Sequence, residues 1–128
     1  MRSDSGGQAD PAGDDTSSES FDLESSDHGP ARVFRASGEI DILSAPTLRT
    51  ALLPALQSDE LVVLDLSEVS FLGSSGLAVL VEARDHAQRN GHRLRLVCSS
   101  RIVLRALEAT GLRELFDIAD DLPAALGS

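Results

Sequence analysis

The chain has no lysine, tryptophan or tyrosine, and only one cysteine. Without lysine there can be no P-loop, because that motif needs an ammonium group for the phosphates. A single cysteine, Cys98, rules out an intramolecular disulfide. It ends the segment Arg93-Leu94-Arg95-Leu96-Val97-Cys98, which reads as a strand, so the thiol reads as a small core residue. No G-x-G-x-x-G is present, which removes the dinucleotide-binding reading. The three histidines, His28, His86 and His92, are scattered, whereas metal sites cluster their ligands; they read as surface residues and no metal is expected. No apolar run approaches the ~20 residues that span a bilayer. The N-terminus lacks the basic start and apolar stretch of a secretory signal. The expectation is a cytoplasmic protein that makes no use of a membrane.

What is present is mostly aliphatic and acidic. At 128 residues the chain supports one domain, with four Phe and many Leu, Val and Ala to fill its core. The net charge of −10 is uneven. Residues 1–30 hold eight acidic residues and one arginine, while the remaining 98 hold thirteen acidic and ten basic. Without a basic stripe, nucleic acid is not an expected partner. Residues 1–20 are largely Ser, Asp and Gly with no apolar periodicity. They are expected to be a disordered acidic tail ahead of a domain at 21–128.

From Phe21 the pattern predicts alternating strands and helices. Phe21-Asp22-Leu23 reads as a short strand, 26–30 as a turn, and 31–37 as its hairpin partner. Gly38-Glu39-Ile40-Asp41 leads into a helix with Ser44 as N-cap and Pro46 in the first turn. Leu48, Leu52, Ala55 and Leu56 form its apolar face, and Pro54 should kink or shorten it. Leu61-Val62-Val63-Leu64, closed by Asp65, reads as a central strand covered on both faces. Ser67 to Ser75 reads as a loop. Leu77, Leu80, Val81, Arg84 and Ala87 then follow helical spacing, with Gly91 as a stop. A strand around Leu94 and Leu96 follows, then a helix capped by Ser99 or Ser100 with Val103, Leu104 and Leu107 facing inward, ended by Gly111. Leu115, Phe116 and Ile118 make a last strand, and 122–126 a terminal helical turn. This order predicts an α/β domain: a mixed, mostly parallel sheet with an N-terminal antiparallel hairpin and about four helices.

Chemistry concentrates where the central strand hands over to the following helix, because function in open α/β sheets gathers at the carboxyl ends of strands. The stretch is Asp65-Leu66-Ser67-Glu68-Val69-Ser70-Phe71-Leu72-Gly73-Ser74-Ser75-Gly76-Leu77. Gly73-Ser74-Ser75-Gly76 is one residue short of the G-x-S-x-G nucleophile elbow, and no histidine is evidently placed to act as base. A serine esterase-like enzyme is therefore the remote reading, and no catalytic residue is assigned. On spacing alone Ser74 is either an N-cap or an accessible hydroxyl whose phosphate would meet the free N–H groups of the helix start.

Residues 65–77 closely resemble the signature of the STAS domain, which runs D-L-S-x-[VL]-x-[FY]-[ILM]-D-S-[ST]-G-[LI]. Gly38-Glu39-Ile40-Asp41 resembles the G-E-[LI]-D that precedes the family's first helix. Gly111-Leu112 before a Phe-containing strand resembles its ending. The resemblance covers about residues 21–126 and implies a STAS-like fold. It also implies an anti-sigma factor antagonist in bacterial transcription regulation and stress response, which is not an enzyme.

In members of that type, the serine matching Ser74 is phosphorylated by the anti-sigma factor, a serine kinase with a histidine-kinase-like ATPase fold. The unphosphorylated antagonist binds that factor and sigma factor is released. A PP2C-type serine phosphatase resets the switch. The resemblance thus implies Asp41, Gly73, Ser74, Ser75, Gly76 and Leu77 as the docking surface, and no cofactor in this chain. Asp41 matches an aspartate that lies near the serine. Gly73 departs from the family, which often has Asp there. That departure keeps a second reading open, a constitutive STAS scaffold or adaptor whose Ser74 is never modified.

Overall fold

A computed structural model describes residues 21–127. The tail expected to be disordered, 1–20, lies outside the described residues, as does Ser128. The first two strands, β1 (Phe21–His28) and β2 (Ala31–Ile40), form an antiparallel hairpin. Its tight turn holds Gly29 at φ 65°, a left-handed conformation in which a side chain is strained. Strands β3 (Leu61–Leu72), β4 (Arg93–Val97) and β5 (Asp117–Ala119) follow in parallel, so the five-stranded sheet runs β1-β2-β3-β4-β5 in chain order. Helices α1 (Ala45–Ser58), α2 (Ser74–Arg89) and α3 (Arg101–Ala109) link the parallel strands, and a short α4 (Leu122–Gly127) closes the described chain.

The continuous apolar run of β3 explains its central place. Val62, Leu64 and Leu66 face one core with Leu48, Leu52 and Leu56 of α1, Leu80 and Ala83 of α2, and Val103 and Leu107 of α3. Leu61 and Val63 face the other side, where Ala31, Val33 and Val97 meet Ala125 of α4. Each fully buried Leu or Val contributes on the order of 1.5–3 kcal/mol. The antiparallel hairpin, the parallel sheet and the inward faces of α1 and α3 therefore stand as the sequence predicts, but residues 26–28, expected in the turn, belong to β1 and only 29–30 turn.

Several expectations need correction. The stretch 67–75 is not a loop, since β3 continues to Leu72. Its second half pairs with the far end of β2, Gly38 with Val69 and Ile40 with Leu72, across two register shifts. Gly38, at φ 89°, sits at these irregularities, so the extra length is obtained through a bulge that alternation cannot reveal. Pro54 neither ends nor shortens α1, which runs four residues past it. Pro54 and Thr50 both lie on the exposed face, so water can take the Thr50 carbonyl that lacks an N–H partner. The last strand is displaced: residues 113–115 form a 3₁₀ turn, and only Asp117–Ala119 pair with β4.

Arg95 alternates with Leu94 in sequence, yet it is only 6% exposed. Its Nε donates to Asp117 at 2.7 Å and its Nη1 to the Ala125 carbonyl at 2.6 Å, which ties α4 to the sheet. The histidines are not simply surface residues. His92 is half-buried and donates from Nδ1 to the Leu56 carbonyl at 2.7 Å. His86 is also half-buried, with Nε2 enclosed and lacking a partner among the described residues. Cys98 is buried as expected, and burial pushes its thiol up to about 12.

Candidate functional site

β3 ends at Leu72, Gly73 occupies the N-cap position, and α2 begins at Ser74. Gly73 is extended (φ −90°, ψ −178°), a conformation open to any residue. Its N–H donates to the Ile40 carbonyl at 2.9 Å, and its own carbonyl accepts from Leu77 N–H at 3.0 Å. The end of β3 is thus fastened to the end of β2 on one side and to the first turn of α2 on the other. Ser74 is exposed and Ser75 half-buried. No hydrogen bond engages the Ser74 hydroxyl among the described residues, and no acidic side chain lies in the first turn of α2. The hydroxyl is not an N-cap, because its residue stands inside the helix.

Gly76 and Leu77, expected on the docking surface, are instead buried. A Cβ on Gly76 would stand 2.5 Å from Ile40 Cγ2 and 2.7 Å from Leu72 Cδ1. This glycine is therefore required by contact between α2 and the chain's own strands. Gly73 is looser: a Cβ there would meet the Phe71 ring, at 2.9 Å from Cε2, and a side-chain ring can shift.

Asp41 opens the loop between β2 and α1, and its carboxylate turns back into that loop. Oδ1 accepts from the N–H of Leu43 at 3.0 Å and of Ser44 at 3.1 Å. These bonds, the one from Ser44 first, hold the carboxyl below its ordinary value. Ser44 stands at the N-cap position but does not cap α1 with its side chain. Its buried hydroxyl donates to the Glu39 carbonyl at 2.8 Å and accepts the Asp41 N–H at 2.9 Å. Asp41 therefore shapes the loop beside the serine. Sequence reasoning missed what this loop displays: Ile42 and Leu43 are 75% and 85% exposed, and Phe71 at the end of β3 is 48% exposed. Two adjacent aliphatics directly after Asp41 were the available signal.

The histidines sit at the opposite end of the sheet. His28 ends β1 beside the start of β2, and His92 directly precedes β4. His86 lies twelve residues along α2 from Ser74, roughly 18 Å at the helical rise. That leaves the esterase reading without a base for Ser74. A groove of about 630 Å³ between the end of α3 and β5 is lined by Glu108, Arg113, Phe116 and neighbours, none of them from this junction. Among the described residues no acidic, histidine or cysteine cluster could hold a metal ion. No described helix is long and apolar enough to cross a membrane.

The site is therefore an exposed hydroxyl at a strand–helix junction of an α/β fold. The chain belongs to the STAS domain family, whose match spans residues 22–125. It is 35% identical over 83 residues to the anti-sigma-B factor antagonist of Bacillus subtilis, covering 65% of this chain and 76% of that protein. It is 30% identical over 104 residues to the anti-sigma-F factor antagonist RsfA of Mycobacterium tuberculosis, covering 79% and 81%. The crystal structure of an anti-sigma factor antagonist from Mycobacterium paratuberculosis superposes with a TM-score of 0.76 at 32% identity, covering 85% of this chain and 93% of that one.

Proposed function

We propose that this chain is a cytoplasmic anti-sigma factor antagonist. Unphosphorylated, it binds an anti-sigma factor with a histidine-kinase-like ATPase fold, and sigma factor is released. That factor then phosphorylates Ser74, which ends the association, and a PP2C-type phosphatase restores the hydroxyl. The observation that carries this reading is the exposed, unengaged Ser74 hydroxyl at the start of α2. In the transfer, Ser74 Oγ bonds to the γ-phosphorus of ATP held by the kinase, the hydroxyl proton is lost, and ADP leaves. The chain's own residues position the acceptor: Gly73 fixes the backbone to Ile40, and the free N–H groups of the first turn face the new dianion. No cofactor is needed in this chain, and neither membrane nor nucleic acid takes part.

The test is intact mass before and after incubation with ATP and the ATPase-type anti-sigma factor of the same organism, with Ser74→Ala as control. One added phosphoryl group on the wild type and none on the variant is expected. An unchanged mass together with retained binding would replace the switch by the adaptor reading, which Gly73 favours because the junction lacks an acidic neighbour for the serine.

A further inference from the structure

We propose that Ile42 and Leu43, with Phe71 at the adjoining end of β3, form an apolar anchor that seats in a hydrophobic pocket of the anti-sigma factor, and that Asp41 and Ser44 are positioning residues that hold it out. The inference rests on the antagonist reading above and names the chemistry of the partner's surface.

Single exposed apolar residues are ordinary, but here two large aliphatics are adjacent and almost fully in water, and the half-exposed Phe71 stands at the end of the strand whose backbone pairs with Glu39 and Ile40 just before them. Nothing in the fold uses Ile42 or Leu43, since neither belongs to a buried cluster. The loop that carries them is nonetheless not slack. Two backbone N–H groups close on Asp41 Oδ1, and the buried Ser44 hydroxyl bridges the Glu39 carbonyl and the Asp41 N–H. A loop already ordered loses little entropy on docking, which favours tight association through a few side chains.

The anchor is continuous with the serine. The Gly73 N–H holds the Ile40 carbonyl at 2.9 Å, one residue before Asp41, and the Phe71 ring occupies the space beside Gly73. Charge points the same way. The chain carries −10, yet residues 42–43 and 71–76 hold no charged side chain, and the Asp41 carboxylate is turned into its own loop. The matching surface on the anti-sigma factor is therefore apolar, not a cluster of cations.

The experiment is titration calorimetry of the full chain against the anti-sigma factor, comparing wild type with an Ile42→Ser/Leu43→Ser double variant at about 0.1 M and about 1 M NaCl, where the screening length falls from ~10 to ~3 Å. Affinity should fall about thirtyfold, as for loss of an interface hot spot, and by the same factor at both salts. The melting temperature should not change, because both side chains are exposed. Asp41→Ala should weaken binding as well, whereas Asp41→Asn, which keeps an oxygen to accept both N–H groups, should restore it. Equal affinity of the double variant overturns the anchor and leaves the antagonist reading standing. Failure of the wild type to bind overturns both. A wild-type dimer that the double variant converts to monomer overturns the proposed occupant in favour of a second copy.

Discussion

Ser44 and Ser74 stand at comparable places, each heading a helix that follows a parallel strand, and their surroundings are opposite. Ser44 is buried with its hydroxyl engaged by its own loop at the Glu39 carbonyl, the Asp41 N–H and the Asp41 carboxylate. Ser74 is exposed and engaged by nothing among the described residues. The first serine supports structure and the second is open to solvent. The difference arises one residue upstream of each helix: the β2–α1 connection folds over its serine, whereas β3 passes straight through Gly73 into α2.

Phosphorylating Ser74 should have the largest effect on that contrast. Placing a dianion in an apolar interface costs several kcal/mol of desolvation, while a helix start tolerates the charge. Affinity for the anti-sigma factor should fall a hundredfold or more by calorimetry, with an unchanged circular dichroism spectrum. Equal affinities would erase the distinction between the two serines. Gly76→Val comes next. The added atoms collide with Ile40 and Leu72, so stability should drop by about 2–3 kcal/mol in urea unfolding, while Gly73→Ala stays under about 1. A stable Gly76→Val protein would show that α2 can lift from the strands.

The two serines can then be compared directly. Ser44→Ala leaves the Glu39 carbonyl and the Asp41 N–H without their hydroxyl and should cost about 1–2 kcal/mol, against about ±0.5 for Ser74→Ala. The smallest effect is on acid stability. Asp41 titrates below its ordinary value of 3.8 in the folded chain because the loop N–H groups favour its charged form. Its contribution is therefore complete above that value and is lost as pH falls through the lowered folded pKa. Asp41→Asn should flatten the acid limb of a stability–pH profile by lowering stability at neutral pH slightly, towards the acid value. An unchanged limb would mean that the loop does not depend on the carboxylate charge.

The sequence made the apolar spacing of the core legible. Leu48, Leu52 and Leu56 repeat at helical intervals and Leu61–Leu64 form an unbroken run, and burial alone enforces both patterns. The exposed serine at the strand–helix junction was legible because a motif marks it. The far half of β3 was not, since its pairing with β2 depends on irregularities around Gly38 that no alternation predicts. The burial of Gly76 and Leu77 was not legible for a related reason: less than one turn of helix separates the exposed Ser74 from them, and sequence spacing does not say which way that turn faces. Ile42 and Leu43 were overlooked because apolar residues are read as core until a structure shows them in water.

The burial of Cys98 makes the molecule chemically addressable. Only the thiolate attacks electrophiles, and at a pKa of about 12 roughly one Cys98 in ten thousand is ionised at pH 8. A cysteine introduced at Leu43, which is 85% exposed, would thus be the one readily labelled sulfur in the chain. A dye or spin label attached there would sit at the loop beside Ser74 and report from the docking edge without any deletion of a native thiol.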